Sequence, residues 1–298
     1  WKTYVNGSLA ESITQTPPSG GAVKMIKSPY GSWGPLEGRL DQTRIYNRVL
    51  SAGNVSTLYN ETISDNDSLT YGSPVNSITS ANQAAGFSIV KWTGTGVATD
   101  RVKHGLNGAP DWILYKDLSN TRNWNVYVGE LDPAVASTYK PYGGTLDLDI
   151  AFNTGGGTNG SAGTPDATTI GFTAGSSTVD NVNALGAGML AYCFKSVANF
   201  CKAGYYTGTG GANTINVGFA PTMIIFKKYD GTGAWRLFDT ARGTNCSLRL
   251  NSGDPEYVDG SNYVDFTSTG FEFSASEGNT DLNGNGSRYC YLAFKDNT

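Results

Sequence analysis

The chain has 298 residues and a formal net charge of -4, so it lacks the basic balance that proteins need to bind nucleic acid. Its apolar runs are all shorter than the roughly 20 residues of a membrane-spanning helix, and we expect no membrane insertion. Charged residues make up only 15% of the chain, whereas glycine (39), tyrosine (17) and phenylalanine (12) are frequent. This composition predicts an all-β fold with packed cores and many tight turns.

Residues 1–63 form the first region, and its last part predicts one short helix. Ser51 suits the N-terminal cap, because its hydroxyl can accept a hydrogen bond from the first helical turn. Val55 and Leu58 follow at a spacing that places both on one helical face. We therefore expect a helix near residues 51–60.

Residues 64–86 separate this region from the remainder of the chain. They read "SDNDSLTYGSPVNSITSANQAAG", a stretch of polar and small residues with one proline. Such a composition is typical of loops, and it predicts a linker between domains.

The remainder of the chain contains an internal repeat. "FSIVKWTGTG" recurs as "FCKAGYYTGTG", "GLNGAPDWILYKD" as "NVGFAPTMIIFKK", and "AYCFK" as "YLAFK", always in the same order. Both copies consist of short apolar or alternating runs separated by turn residues, the pattern of a β-sandwich. We predict tandem β-sandwich (jelly-roll-like) domains at residues 87–197 and 198–298.

The repeat also separates core residues from surface candidates. Trp124 matches Trp235 in the second copy, and Trp112 matches Met223. Matched positions are expected to be structural anchors. Aromatic residues without a partner in the other copy are better candidates for a role at the surface.

Histidine and cysteine give little support for catalysis or for a zinc site. His104 is the single histidine, it lies between "RVK" and "GLNG", and we expect it to be a solvated loop residue. The four cysteines lack the paired spacing of zinc ligands. Cys193 and Cys290 lie within apolar runs, which favours buried free thiols, and a disulfide is the alternative. The chain is therefore expected not to be an enzyme.

Asp147 and Asp149 are the carboxylate pair that requires most care. They are two residues apart in "TLDLDI", so a strand here would place both on one face. Glycosidases use two carboxylates across the scissile bond, which keeps a carbohydrate-active enzyme as an alternative. An outward polar face is the favoured interpretation.

The stretch "DLNGNG" matches the first half of a calcium-binding loop through Asp281, Asn283 and Asn285. The twelfth position of this loop is Leu292 instead of the usual glutamate, so a glycine-rich hairpin is the favoured interpretation. A Ca²⁺ site at these residues is the alternative. No other cofactor is expected.

Aromatic residues on two glycine- and proline-rich loops are the candidates for ligand binding. Tyr139 and Tyr142 lie in "STYKPYGGT", and Tyr30 and Trp33 lie in "SPYGSWGP". Sugars bind to aromatic faces flanked by polar groups, so these residues form a candidate glycan site. The alternative is that they cover a sandwich end or a subunit interface.

The end of the first region resembles the C-terminal part of the concanavalin A-like, laminin G-like jelly-roll family. That family's closing pattern ends in "Tyr-Asn-Arg-x-Leu-Ser" and a short helix. The matching residues here are Gly38, Leu40, Asp41, Arg44, Ile45, Tyr46, Asn47, Arg48, Leu50, Ser51, Leu58 and Tyr59. The resemblance implies that residues 1–63 are the end of a jelly roll whose first half lies upstream of Trp1 or is supplied by another chain.

The duplicated part is similar to a domain found in tandem in bacteriophage tail fibres and other virion fibres. The "TGTG" turn, the Ala-Pro before an apolar strand, the "GF" strand and the final "AFK" carry this resemblance. It implies a structural virion component, assembled in the host cytoplasm, that forms a homotrimer and contacts other virion proteins and a host-surface glycan. Two alternatives remain: a fibre or capsid protein without a ligand, and carbohydrate-binding modules of a polysaccharide-degrading enzyme.

Overall fold

A computed structural model gives the chain as two compact units, residues 1–69 and residues 70–298. The first unit shows an antiparallel pair, β1 (Lys2–Val5) and β2 (Ser8–Ser12). The helix predicted near residues 51–60 lies outside the described residues. The residues that the structure describes are 2–5, 8–12, 75–134, 143–152, 162–172, 180–258, 264–274 and 281–296.

The second unit is built from short strands, and its described residues include one helical turn, α1 (Asp180–Asn183). Its first copy of the repeat, named copy 1 here, contains β3 (Ser77–Asn82), β4 (Phe87–Thr93), β5 (Arg101–Lys103), β6 (Trp112–Asp117), β7 (Asn125–Val128), β8 (Gly143–Thr145), β9 (Ala162–Gly163), β10 (Thr169–Phe172) and β11 (Gly188–Phe194). The second copy, copy 2, contains β12 (Cys201–Thr207), β13 (Asn213–Asn216), β14 (Met223–Lys228), β15 (Arg236–Asp239), β16 (Cys246–Arg249), β17 (Tyr257–Val258), β18 (Asp265–Phe266), β19 (Gly270–Phe273) and β20 (Arg288–Phe294).

The two copies repeat one strand order. Copy 1 has a six-stranded sheet, β3-β4-β11-β6-β7-β8, and a three-stranded sheet, β5-β10-β9. Copy 2 has the equivalent sheets β12-β20-β14-β15-β16-β17 and β13-β19-β18. Five strands of each six-stranded sheet correspond between the copies, β4-β11-β6-β7-β8 and β12-β20-β14-β15-β16, and we call them the common frame. Copy 1 adds edge strand β3 to this frame, and copy 2 adds edge strand β17. The prediction of an all-β sandwich fold is confirmed.

Each copy has its own core between its two sheets. In copy 1, Val102 and Ile170 of the three-stranded sheet pack in one cluster with Tyr115 of the six-stranded sheet. In copy 2 this cluster is mainly aromatic, and Tyr206 stacks on Tyr289 with ring centroids 4.9 Å apart. Each buried aromatic side chain removes a large apolar area from water and so stabilises this core.

A third core joins the two copies. Side chains alternate along a strand, so the faces of the six-stranded sheets that point away from the three-stranded sheets also carry apolar residues. These faces meet each other, with Trp112 against Trp235 at 5.9 Å and Phe194 against Phe294 at 5.8 Å between ring centroids. The copies therefore form one stack of four layers with a shared centre.

The prediction that residues 64–86 form a linker is wrong for the second half of this range. Strand β3 lies within it and pairs with β4 along its whole length. Four of the six side chains of β3 are exposed, because it is an edge strand whose outer face is uncovered. Its polar composition therefore resembles that of a loop.

The prediction of a solvated His104 is also wrong. The side chain is fully buried, with Nδ1 accepting a hydrogen bond from the Leu106 backbone N–H at 3.1 Å and Nε2 lying 3.2 Å from the Asp166 carbonyl. Burial lowers the pKa of His104 below its ordinary value. The loop at Asp166 covers this turn, a long-range contact that the local sequence does not reveal.

The predicted burial of the two cysteines is confirmed. Cys193 and Cys290 are free thiols and fully buried. Burial raises the pKa of Cys193 to about 12 and also raises that of Cys290. Both thiols therefore stay protonated and act as packing groups.

Candidate functional site

The repeated "TGTG" turn is held by one buried asparagine in each copy. In copy 1, the Thr95 N–H donates to Asn183 Oδ1 at 3.1 Å, and Asn183 Nδ2 donates to Thr95 Oγ1 at 2.9 Å. In copy 2, the Thr209 N–H donates to Asn283 Oδ1 at 3.0 Å, and Asn283 Nδ2 donates to the Gly211 carbonyl at 2.6 Å. The motif that defines the repeat is thus a structural latch.

This latch gives a structural role to a residue of the candidate calcium loop. Asn283 Oδ1, which would bind the cation, accepts a second hydrogen bond from Asn213 Nδ2 at 3.0 Å. The loop residues Asp281 and Asn285 flank it, and Asn285 aligns with Leu185 of copy 1. Among the described residues, no three histidine, cysteine, aspartate or glutamate side chains are grouped as a metal site would require. Calcium binding stays a prediction.

A lysine and a tryptophan form a second repeated pair. Lys116 Nζ lies 5.7 Å from the ring centroid of Trp124 in copy 1. The equivalent distance from Lys227 Nζ to Trp235 in copy 2 is 6.0 Å. In both copies the lysine is on the third strand of the common frame and the tryptophan directly precedes the fourth, so the strand order brings them together.

In copy 2 this pair is covered by a segment of copy 1, residues 145–152, which we name the strap. The Trp235 indole N–H donates to the Thr145 carbonyl at 2.9 Å. Lys227 Nζ donates to the Asp149 carbonyl at 3.0 Å. The Phe152 ring then packs 6.0 Å from the Trp235 ring. We call the covered pair the closed site.

The closed site holds a buried ammonium group. Lys227 is fully buried, and its Nζ also donates to the Gly233 carbonyl at 2.5 Å. Burial lowers the pKa of Lys227 to about 8, although the nearby carboxylates of Asp149 and Asp281 favour its charged form. The lysine therefore connects the two copies through main-chain carbonyls at a cost in desolvation.

In copy 1 the equivalent pair is not covered by a strap from the described residues. Lys116 Nζ donates to the Arg122 carbonyl, the counterpart of the bond to Gly233, and both Lys116 and Trp124 are only half-buried. Tyr192 stacks on Trp124 with ring centroids 6.2 Å apart and planes 14° apart. We call Lys116, Trp124 and Tyr192 the open site.

A cavity of about 460 Å³, with both polar and apolar surface, lies beside the strap, where the two copies meet. Its lining offers carboxylates, a carboxamide, hydroxyls and a guanidinium group, all of which can bond to a ligand with many hydroxyls. We name it the seam pocket. The lining residues are Asp147, Leu148, Asp149, Thr232, Gly233, Ala234, Arg249, Asn251, Ser252 and Asp281.

The prediction that Asp147 and Asp149 share one face of a strand is wrong, because β8 ends at Thr145. Asp147 Oδ1 instead accepts a hydrogen bond from the Trp124 backbone N–H at 3.2 Å. In copy 2, Asn251 Oδ1 accepts the same bond from the Trp235 N–H at 3.0 Å. An asparagine can replace the carboxylate here, so this contact is a turn-stabilising bond of the repeat.

The four predicted glycan-binding residues, Tyr30, Trp33, Tyr139 and Tyr142, lie outside the described residues. The same is true of most of the region that carries the jelly-roll resemblance.

The predicted anchors divide into two kinds. Trp112 and Trp235 are buried between the copies, whereas Trp124 and Met223 are half-buried. The two lysines of the repeated pair were missed, although aligning the copies places Lys116 opposite Lys227. That alignment was the available signal.

The family model of a domain of unknown function, DUF7483, matches residues 60–298. The chain belongs to the DUF7483 family. The matched range contains both copies of the repeat, so the stack of four layers lies within a DUF7483 region. No curated protein and no solved structure matches the chain. Within the described residues of this DUF7483 protein, no helix has the length and apolar character needed to cross a membrane.

Proposed function

We propose that this chain is part of a bacteriophage tail fibre or related virion fibre, where it binds a host-surface glycan without catalysing a reaction. It would act as a homotrimer, assembled in the host cytoplasm and attached to other virion proteins. Several weak sites in one particle engage together and raise the avidity, so a shallow site in each chain suffices.

The seam pocket is the observation that supports glycan binding. Its volume of about 460 Å³ lies within the range of roughly 300–1,000 Å³ that small-ligand sites occupy. Asp149, Arg249 and Asn251 supply acceptors and donors from both copies around one opening. A ligand there would be bound mainly through its hydroxyl groups.

The shared core supports a structural role. Trp112 and Trp235 are buried in the centre of the stack, so the pocket walls from the two copies are held by the same packing. A pre-organised pocket loses little conformational entropy on binding. This rigidity suits a fibre that must present one surface unchanged.

The experiment is glycan-array binding and adsorption to host cells with a variant that fills the pocket. Thr232 is an exposed lining residue, so Thr232→Trp obstructs the cavity without burying a new polar group. We expect loss of glycan binding with an unchanged melting temperature. Thr240→Trp, at an exposed threonine outside the lining, is the matched control and keeps binding. Unchanged binding by Thr232→Trp removes the pocket from the proposal, and turnover of a polysaccharide by the chain favours the enzyme alternative.

A further inference from the structure

The closed site shows what the repeated lysine and tryptophan bind when their donors are satisfied. The Trp235 indole N–H donates to the Thr145 carbonyl at 2.9 Å, and Lys227 Nζ donates to the Asp149 carbonyl at 3.0 Å. Both acceptors are main-chain groups of the strap, so the frame recognises a polypeptide segment through its backbone. Main-chain hydrogen bonds are a general means by which one polypeptide binds another.

The same two donors lack these acceptors in the open site. Within the part of the chain that the structure describes, no residue accepts from the Trp124 indole N–H, and Lys116 Nζ donates only to the Arg122 carbonyl. The indole nitrogen is not buried, and a lysine carries three donors. The open site can therefore donate to at least two carbonyls of a partner.

Tyr192 gives the open site the ring contact that Phe152 gives the closed site. The Tyr192 and Trp124 ring centroids are 6.2 Å apart, and those of Phe152 and Trp235 are 6.0 Å apart. The sheet register places Leu292 of copy 2 at the position of Tyr192. Copy 1 thus supplies its own ring to the tryptophan, and what remains for a partner to supply is the acceptors.

The sheet around the open site carries cations without ion-pair partners. Leu190 of β11 is paired with Lys91 on one side and with Lys116 on the other, so the two lysines lie in one row on one face. Arg122 is exposed on the loop that follows β6. No described residue forms an ion pair with any of these three cations.

Two carboxylates lie beside these cations, and both are engaged in turns. Asp117 is buried, and its Oδ1 accepts from two backbone N–H groups of the following turn at 2.8 and 2.9 Å. Asp147 Oδ1 accepts from the Trp124 backbone N–H at 3.2 Å. Three cations against two carboxylates leave an excess of positive charge, which favours a partner with negative charge.

We propose that the open site binds a short acidic segment of another polypeptide chain. The strap is the template, because its sequence, TLDLDIAF, combines backbone acceptors with two carboxylates and apolar side chains. The partner's carbonyls accept from Trp124 and Lys116, its carboxylates lie against Lys91 and Arg122, and its apolar side chains pack on Ile89, which is 38% exposed. This contact is independent of glycan binding in the seam pocket.

The first test observes the donor itself. The full chain with ¹⁵N-labelled tryptophan is titrated with the peptide TLDLDIAF, whose ends are blocked to remove the terminal charges. The indole N–H signal of Trp124, assigned by its loss in Trp124→Phe, should move. That of Trp235, which already donates within the chain, should stay. A moving Trp235 signal with an unmoved Trp124 signal means that the peptide replaces the strap, and it overturns the proposal.

The second test measures the affinity of the same peptide by calorimetry. Lys116→Met should weaken binding about tenfold or more, because it removes a charge-assisted hydrogen bond. Lys202→Met, at a half-buried lysine of β12, is the matched control and should bind as the wild type does. A peptide with Asp147→Asn and Asp149→Asn should bind the wild type more weakly. Equal affinities of the wild type and Lys116→Met overturn the proposal.

A glycan is the other class of ligand that aromatic rings beside cations can bind. Polygalacturonate, a polysaccharide with carboxylates, is therefore titrated in parallel. A Trp124 signal that moves with polygalacturonate and not with the peptide overturns the proposal, as does a signal that moves with neither. Thr232→Trp obstructs the seam pocket and should leave peptide binding unchanged, so failure of the glycan proposal and failure of this one are distinguishable.

Discussion

The closed and open sites have the same frame and opposite surroundings. Lys227 and Trp235 are fully buried beneath the strap, whereas Lys116 and Trp124 are half-buried beside Tyr192. Each lysine bonds to the carbonyl that lies two residues before its tryptophan. The difference is the strap, which copy 1 supplies to copy 2 and which has no described counterpart in the opposite direction.

This difference shows how a duplicated sequence produces two unlike sites. The frame is encoded locally by strand order and by the repeated lysine and tryptophan. The environment depends on which segment crosses the frame, and within the part of the chain that the structure describes residues 145–152 cross it in copy 2 alone. A structural anchor in one copy can therefore be a surface residue in the other.

Replacing Trp235 and Trp124 by alanine should give the largest difference in stability between the closed and open sites. Trp235→Ala removes a buried ring that contacts both Trp112 and Phe152, and we expect a loss of about 3–5 kcal/mol in the free energy of unfolding. Trp124→Ala should cost about 1 kcal/mol, because its ring is half-exposed. Chemical denaturation measures both. Equal losses would mean that the two sites are equally covered in solution.

Replacing the asparagine of either latch should lower the free energy of unfolding by almost the same amount, because the two latches have equivalent hydrogen bonds. Asn183→Ala and Asn283→Ala each leave buried turn groups without partners, and each should cost about 2–3 kcal/mol. Asn183→Ala should be the more costly, since the second donor to Asn183 Oδ1 is the buried Trp92 indole at 3.1 Å, whereas the second donor to Asn283 Oδ1 is the half-buried Asn213 side chain. Thermal and chemical unfolding of both variants provide the measurement. A loss confined to one copy would contradict the equivalence.

The pH dependence of stability should reveal the buried lysine of the closed site. The pKa of Lys227 falls from its ordinary value of 10.5 to about 8. Between these values the unfolded chain binds a proton that the folded chain does not, so raising the pH through this window stabilises the folded state. Relative to Lys227→Met, the wild type should gain about 2–3 kcal/mol from pH 8 to 10.5.

The stability of the wild type must be compared with that of Lys227→Met, because other titrating groups lower the stability of the folded state as the pH rises. Burial raises the pKa of Cys193 to about 12, so at high pH the unfolded chain loses that proton first and the folded state is destabilised. Both proteins contain this thiol, and its effect cancels in the difference. Lys116→Met is the matched control for the open site. A flat difference between wild type and Lys227→Met would contradict the burial of the ammonium group.

The fold was predictable to the extent that it depends on local patterns. Alternating apolar runs, turn residues and the internal repeat predict paired sandwiches with one topology, as found. Edge strand β3 was not predictable in this way, because only one of its faces packs and its sequence resembles a loop. The shared core was missed for another reason. A residue such as Trp112 looks the same whether it packs within a copy or between copies.

The candidate site was predictable only in part, because its character depends on long-range contacts. Asp147 and Asp149 were recognised as unusual, but their strand placement was wrong and their position beside Arg249 depends on copy 2. His104 shows the same limit, since the loop at Asp166 that buries it is distant in sequence. Local sequence identifies the reactive groups; the packing of the copies determines their environment.

The smallest effect is expected for Asp147→Asn. The equivalent position in copy 2 is Asn251, whose carboxamide accepts the same backbone hydrogen bond, so the variant should keep the turn and change stability by less than about 0.5 kcal/mol. Asp147→Ala, which removes the acceptor, should cost about 1 kcal/mol, and calorimetry can separate the two. A loss with Asp147→Asn as large as that with Asp147→Ala would show that the negative charge itself matters. Asp147 would then differ functionally from Asn251, and the carboxylate would be the feature that distinguishes the open site's turn from its counterpart.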